Sequence, residues 1–413
     1  MTEDSQPPDT GAAVNLLCLA SFFKGAEFLR ECRRLGARVF LVTKEKWRGE
    51  DWPHDALEGF VTVPDDASTD YYVHAAAEIA RRHRLRGVVA LEEYDVVTAG
   101  LVREHLRVAG MSSSEARLFR DKLAMRAAAR DAHIRVPEFV HALNYQEIGE
   151  YTARVPAPWV MKPRTDVSAI GIRKLHTAEE VWRHLDELDA RPRPQERVGF
   201  HLLERFVAGE VFHVDSIVSG GEVKFAGVSR YGRPPMDVAH EGGVFVSQTI
   251  AYDSDERGEL LEANRRVVRA LGLRRGAAHA EFIRGAEDGE LYFLEVAARV
   301  GGAFIAETLE VATGVNVWRE WARLELAADS PPYEPPAPRR EHAGIILSLS
   351  RQEWPDTSGY DDPEIALRPR KRYHAALVVR SPSHARVLEL LEAYARRFAA
   401  DFIAVAPPLE RAE

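Results

Sequence analysis

Apolar and polar positions follow two different rhythms along this chain. Up to about residue 110, apolar residues come in short continuous runs separated by amphipathic stretches. Val14–Ala20 is the first run, and a continuous apolar stretch of that length suits a strand buried on both faces. A helical stretch over Ala26–Leu35 follows, closed by Gly36, and then a strand over Arg38–Thr43. Further strands are predicted at Phe60–Val63 and Gly87–Leu91, with helices at Tyr71–Arg82 and Asp95–Leu106. Strands alternating with helices of this length predict a doubly wound α/β domain over residues 14–112. It lacks the G-x-G-x-x-G turn by which a Rossmann domain approaches a pyrophosphate, so it reads as a scaffold and one wall of a substrate cleft.

The rhythm then changes. Residues 115–133, rich in Ala, Arg and Leu, predict one long helix, and Val136-Pro137 forces an extended exit. From residue 157 short β runs dominate: APWVMKP, GIRKL, GFHLLERFV, EVFHVDSIV and EVKFAGVSRY, interrupted by helices near 178–188 and 255–271. HAEFIRG and ELYFLEVAA, separated by Ala-Glu-Asp-Gly, predict an antiparallel hairpin. A Pro-rich link at 330–340 precedes β runs at 343–349 and 374–380 and a helix at 383–398. The fold class expected is therefore α/β and α+β. It comprises a doubly wound domain, a two-part domain over 113–330 with a small subdomain at about 135–205, and a C-terminal subdomain over 331–413.

Composition narrows the function. Hydrophobic residues make up 46% of the chain and charged residues 29%, ordinary for a globular enzyme. A formal charge of -9 leaves no basic excess to neutralise a nucleic-acid backbone. Cys18 and Cys32 are the only cysteines, so neither a disulfide framework nor a Cys-based zinc site is supported, and Cys18 reads as core. The first thirteen residues are polar and acidic, which predicts a disordered tail rather than a signal peptide. No apolar run reaches the roughly 20 residues that span a bilayer. The expected location is the cytoplasm, with no membrane or nucleic-acid partner.

Candidate chemistry comes from a set of residues. Lys122 lies early in the long helix, and Lys162 ends the apolar run APWVMKP, although a lone strand-end lysine is usually a solvated charge. In LLERFVAGEVFHVDS, Glu204, Phe206, Val207 and Glu210 suit a hinge that reads a nucleotide. An amphipathic hairpin with acidic faces is the plainer alternative. Glu281 and Glu295 fall on the two strands of the hairpin, where two converging carboxylates suit Mg²⁺. Arg299 follows four residues after Glu295, so a structural Glu–Arg pair is the competing account, and Gly301-Gly302 lets a backbone approach anionic oxygens.

In order and approximate spacing, this set resembles the ATP-grasp superfamily over about residues 14–325. The elements are a helix Lys, a strand-tip Lys, E-x-F-V-x-G-E, H-x-E and E-V-x-x-R-x-G-G. The resemblance implies ATP gripped between a small lid and a larger subdomain. It implies that Lys122 and Lys162 bind phosphates, that Glu204, Phe206 and Val207 bind adenine, and that Glu210 binds ribose. Glu281 and Glu295 would hold one or two Mg²⁺, with Mn²⁺ an accepted substitute, and Arg299 with Lys162 would act on the transferring group. The implied activity is that of a carboxylate-amine ligase of the amino-acid or dipeptide type. Such an enzyme activates a small acid as an acyl phosphate, couples it to an amine and releases ADP and phosphate. Another ATP-grasp activity (carboxylase-like or nucleotide-biosynthetic) and a regulatory protein without turnover remain open.

Two departures bear on this. Many members carry Asn two residues after the second metal Glu, where this chain has Ala297. The phosphate-covering loop, usually glycine-rich, is here residues 164–171 with one glycine, so closure would lean on Ser168 and Arg164. Substrate contacts are sought in the glycine-bounded loop 229–243, with Arg230, Arg233, His240 and Glu241, and at Glu92 and Glu93 at a strand end. A mobile surface loop is the equal alternative for 229–243. The acid, the amine and the oligomeric state, with a homodimer one option, are not legible.

Overall fold

The computed structural model describes residues 13–167, 169–327 and 333–404. All but Ala13 of the expected tail, and Ser168, lie outside the described residues. The chain forms two compact units. One runs to Ser114 and includes Trp318–Tyr333, and the other comprises Glu115–Val317 and the chain from Glu334.

The first unit is built on β1 (Asn15–Ala20), β2 (Arg38–Lys44), β3 (Gly59–Val63) and β4 (Leu85–Ala90). They pair in parallel in the order β3-β2-β1-β4. β1 and β2 are buried almost end to end, the environment that their unbroken apolar runs require. Helix Ala26–Arg34 connects β1 to β2, Thr69–Ala80 connects β3 to β4 and Val96–Leu106 follows β4, all close to the predicted limits. Cys18 and Cys32 are both buried, and burial pushes both thiols up, out of the reactive range. The returning segment 318–333 packs Trp321 edge-on against Phe28, with ring centroids 5.2 Å apart, and Arg323 pairs with Glu31 at 2.8 Å.

One buried acid in this unit carries a stability prediction. Asp95 accepts the Ser21 N–H at 2.6 Å and the Ser21 hydroxyl, which also meets the Tyr72 hydroxyl at 3.0 Å. Burial outweighs these bonds and raises its carboxyl to about 6. A folded pKa above the unfolded value means that the native state holds the proton more tightly. Stability is therefore lost as pH rises from about 4 through 6. Asp95→Asn keeps an acceptor and carries no charge, so it is expected to stabilise the protein at pH 8 by up to about 3 kcal/mol. The gain should vanish near pH 4, and thermal melts of both proteins across that range check it.

The second unit contains two sheets. The smaller comprises β5 (Phe139–His141), β6 (Trp159–Pro163), β7 (Arg173–Leu175) and β8 (His201–Arg205) in the order β5-β8-β6-β7, all antiparallel. Helices Tyr145–Arg154 and Ala178–Asp189, capped by the side chains of Asn144 and Thr177, cover it. Ile148, Tyr151, Trp159, Met161, Leu185 and Leu203 form its own core.

The larger sheet collects β9 (Gly209–Ser219), β10 (Glu222–Tyr231), β11 (Phe245–Thr249), β12 (Arg275–Gly285), β13 (Leu291–Ala297), β14 (His342–Leu349), β15 (Ile365–Leu367) and β16 (His374–Ser381). Its order is β13-β12-β9-β10-β11-β14-β16-β15. The predicted hairpin is β12–β13, and the C-terminal strands continue this sheet through the β11–β14 pairing. A Cβ at Gly209 would lie 1.9 Å from the Arg284 carbonyl oxygen, so only glycine lets β9 start this close to β12. Among the described residues no helix is long and apolar enough to cross a membrane.

Three expectations are corrected here. The long helix over 115–133 is two helices, Ser113–Arg117 and Lys122–Asp131. Asp121 breaks it by accepting the N–H groups of Leu123 and Ala124, a cap worth about 1 kcal/mol that no interior aspartate offers. Residues 229–243 are not one loop, because Arg230 lies in β10 and Pro235–Glu241 is a helix started by Pro234-Pro235. Glu92 and Glu93 do not end a strand: β4 stops at Ala90, and Glu93 opens a short 3₁₀ turn.

Candidate functional site

The capping of Lys122–Asp131 sets the first part of the site. Lys122 becomes the first residue of the helix and Arg126 lies one turn on, so both occupy one face. In the small sheet, Glu204 of β8 is registered opposite Val160 of β6 and Lys162 opposite Leu202. Lys162 and Glu204 are thus diagonal neighbours on one face. Glu204, 1% exposed, takes the Lys162 ammonium on one oxygen and the Arg126 guanidinium on the other, the latter at 3.0 Å. Arg126 also donates to the Leu294 carbonyl of β13. On the next residue, Glu295 pairs with Lys122 at 3.1 Å.

Three cations thus surround two carboxylates. Burial would raise both carboxyls, but the ammonium and guanidinium groups outweigh it and hold them below the usual carboxylate range. Lys122 also donates to the Asp166 carbonyl at 2.5 Å, and its N–H to that of Arg164 at 2.8 Å. The segment after β6 is therefore tied to the helix start, reinforced by the Arg164–Asp121 pair.

Glu281 is registered directly opposite Glu295 across β12–β13, which puts both carboxylates on one sheet face. Their immediate partners differ. Glu281 accepts from the Tyr231 hydroxyl at 2.7 Å and lies 3.5 Å from His279 Nε2, whereas Glu295 faces Lys122. Ala297 is buried and registered opposite His279, so the departure from the usual Asn falls on this same face. Arg299, just past β13, donates to the Val300 carbonyl at 3.0 Å.

Gly301 has a different neighbour from the one the sequence suggests. A Cβ there would lie 2.6 Å from Asp215 Oδ1 and 3.0 Å from His279 Nδ1, so the missing side chain makes room for protein groups. At Gly302 a Cβ would meet nothing within 4 Å. Ala303 and Phe304 then adopt φ of 51° and 59° before helix Ile305–Thr313, a strained left-handed pair of the kind that clusters at functional sites.

The remaining expected residues are dispersed. The Phe206 N–H is committed to the Pro158 carbonyl at 3.0 Å, and Lys174 Nζ lies 3.7 Å from its ring centroid. Val207 packs with Val211, Ile283 and Tyr292. Glu210 pairs with Arg230 at 2.5 Å and Arg233 with Glu241 at 2.5 Å, while His240 Nε2 meets the Ala169 carbonyl at 3.3 Å. Glu92 pairs with Lys24, and both it and Glu93 belong to the first unit.

Sequence reasoning missed Arg126, Tyr231 and a buried set comprising His213, Asp215, Ser247 and His279. The signal was present in part. H-x-D in β9 and H-x-E in β12 place polar residues at alternate positions inside apolar runs, hence on one face, and buried polar groups are the informative ones.

Chemically, two ammonium groups and a guanidinium suit the oxygens of a polyphosphate, and two carboxylates on one face offer the hard oxygen donors of a divalent cation. Comparison with known proteins bears on this directly. Residues 155–307 match the ATP-grasp domain family. The chain is 23% identical over 243 residues to an L-arginine-specific L-amino acid ligase of Bacillus subtilis, covering 59% of this chain and 58% of that protein. It is 28% identical over 206 residues to carnosine synthase 1 of Gallus gallus, covering 48% of this chain and 22% of that one. The chain thus spans less than two thirds of the length of these relatives. In structure it is similar to an L-amino acid ligase from Bacillus licheniformis, with a TM-score of 0.74 at 19% identity over 96% of this chain and 99% of that one. The ATP-grasp match thus lies within residues 155–307, and the chain shares the mixed α/β fold of that ligase structure.

Proposed function

We propose that this protein is an ATP-dependent carbon-nitrogen ligase that activates a carboxylate as an acyl phosphate and couples it to an amine, releasing ADP and phosphate. The observation that carries the reading is the meeting of Lys122, Arg126, Lys162, Glu204 and Glu295 beside Glu281. A carboxylate attacking phosphorus brings anions together, so the site must supply positive charge already in position. Lys122 and Lys162 are the groups to do it, each held in place by a carboxylate before nucleotide arrives. Glu281 and Glu295 fit Mg²⁺, which when bound would neutralise phosphate charge.

In this reading Glu204 acts by anchoring Lys162 and Arg126, a revision of the adenine role that the resemblance implies. Phe206 and Val207 line the adenine, Glu210 meets the ribose, and Arg299 faces the transferring group. The small sheet over 135–205 is the lid, and segment 164–171 with Ser168 covers the phosphates. It holds acid, amine and phosphate together and keeps water from the acyl phosphate. Arg230, Arg233, His240 and Gly302 are the candidates for substrate contact. The L-amino acid ligase among the relatives supports an amino acid as a substrate.

The test is ADP release with Mg-ATP over a panel of amino-acid pairs, with product mass recorded. ADP formation that requires both an acid and an amine, with the amide as product, is the expected result. Bicarbonate-dependent turnover would favour the carboxylase-like alternative. Tight nucleotide binding with no turnover for any pair would favour a regulatory protein, the reading that Ala297 keeps open.

A further inference from the structure

A chain of buried polar groups runs behind Glu281. Ser247 Oγ meets His213 Nε2 at 2.7 Å, and His213 Nδ1 meets Asp215 Oδ2 at 2.6 Å. Asp215 Oδ1 meets His279 Nδ1 at 2.9 Å, and His279 Nε2 lies 3.4 Å from the Tyr231 hydroxyl and 3.5 Å from Glu281 Oε1. The Tyr231 hydroxyl donates to the same Glu281 oxygen at 2.7 Å. All five residues before Glu281 are buried, and the His213 ring stacks obliquely on Tyr231 and His279. Gly301 closes over the Asp215–His279 pair with no room for a side chain.

Such a chain is a poor way to gain stability. Well-packed apolar residues of the same volume are commonly as stable as a buried ionic network, or more so. The composition also invites a metal, since ligand atoms of His213, Asp215 and His279 lie within 4.8 Å of one another. Each oxygen of Asp215, however, already meets an imidazole nitrogen at hydrogen-bond distance, and each imidazole has a second partner. The set is complete as a hydrogen-bonded chain without an ion.

Its open end explains it better. Tyr231 and His279 both address Oε1 of Glu281, so Oε2 is the oxygen that would be left to meet a cation. We propose that Tyr231 and His279, fixed through Asp215, His213 and Ser247, are positioning residues that hold the Glu281 carboxylate in its metal-binding orientation. The inference rests on the proposed function, because it takes Glu281 as a ligand of the nucleotide-bound metal. Groups that orient a ligating carboxylate typically change metal affinity 10- to 100-fold when removed, without touching the ion.

The test is calorimetric ADP binding to the full chain, with Mg²⁺ and with EDTA, which reads the metal without turnover. Tyr231→Phe removes one hydroxyl and keeps the ring. It is expected to cut the Mg²⁺-dependent gain in ADP affinity about tenfold and leave affinity in EDTA unchanged. His279→Gln carries the same expectation should Tyr231→Phe fail to fold. A purely structural network would lower the melting temperature of both variants and leave the gain intact, which overturns the proposal. Glu281→Gln separates this failure from that of the parent reading. If it abolishes the gain while Tyr231→Phe and His279→Gln keep it, positioning alone is wrong. If the wild type shows no Mg²⁺-dependent gain, Glu281 is no metal ligand and both fall.

Discussion

Lys162→Ala is expected to abolish ADP formation and to weaken ATP binding. Lys162 is the cation at the tip of β6 that a phosphate would meet, and its ammonium is one of the two groups neutralising the buried Glu204. The substitution therefore has two effects. It removes a charge from the phosphate site, and it takes from the buried Glu204 one of its two cations, leaving it paired with Arg126. Lys162→Met separates them in part, since it removes the charge but fills most of the volume, so it should melt above Lys162→Ala and recover none of the turnover. Lys122→Ala should be milder, since Arg126 stays beside Glu295 and contributes to holding its charge. Nucleotide affinity and rate like the wild type in both lysine variants would remove these residues from the site.

Glu295→Gln is the second large effect expected. Glutamine keeps the size and one oxygen and loses the charge, so turnover should fall by about two to three orders of magnitude while adenine binding survives. The variant also frees Lys122 from its ion pair, which should raise rather than lower nucleotide affinity in EDTA. Glu281→Gln should act in the same direction, less severely. Ala297→Asn adds an oxygen donor on the face that carries Glu281 and Glu295, and should leave Mg²⁺ binding intact or tighten it. Steady-state ADP release against Mg²⁺ concentration measures all three.

These residues also mark how far the sequence could be read. β1 and β2 of the first unit were legible because each is buried almost end to end along a continuous apolar run, as in Leu16–Ala20. The β12–β13 hairpin and the opposition of Glu281 and Glu295 were legible from strand length and one short turn. Arg126 was not, because in an Ala-rich helix an arginine reads as solvent-facing, and its partner Glu204 lies 78 residues away. The break at Asp121 was hidden among strong helix formers, although an aspartate before such a run is itself a capping signal. His213 and His279 lay inside correctly predicted strands, but Ser247 lay in β11, which the pattern did not predict, so the chain behind Glu281 had no visible anchor. Gly301 was read as room for a ligand, whereas the buried Asp215–His279 pair fills that space, a fact no local pattern contains.

The most direct test of the account is a crystal structure with ADP and Mg²⁺ bound. The account predicts phosphate oxygens against Lys122 and Lys162, adenine beside Phe206 and Val207, and a metal ion bridging the phosphates to Glu295 and to Oε2 of Glu281. A nucleotide bound elsewhere would contradict it. So would Glu281 and Glu295 still holding Tyr231 and Lys122 as they do now, with no ion between them and the phosphates.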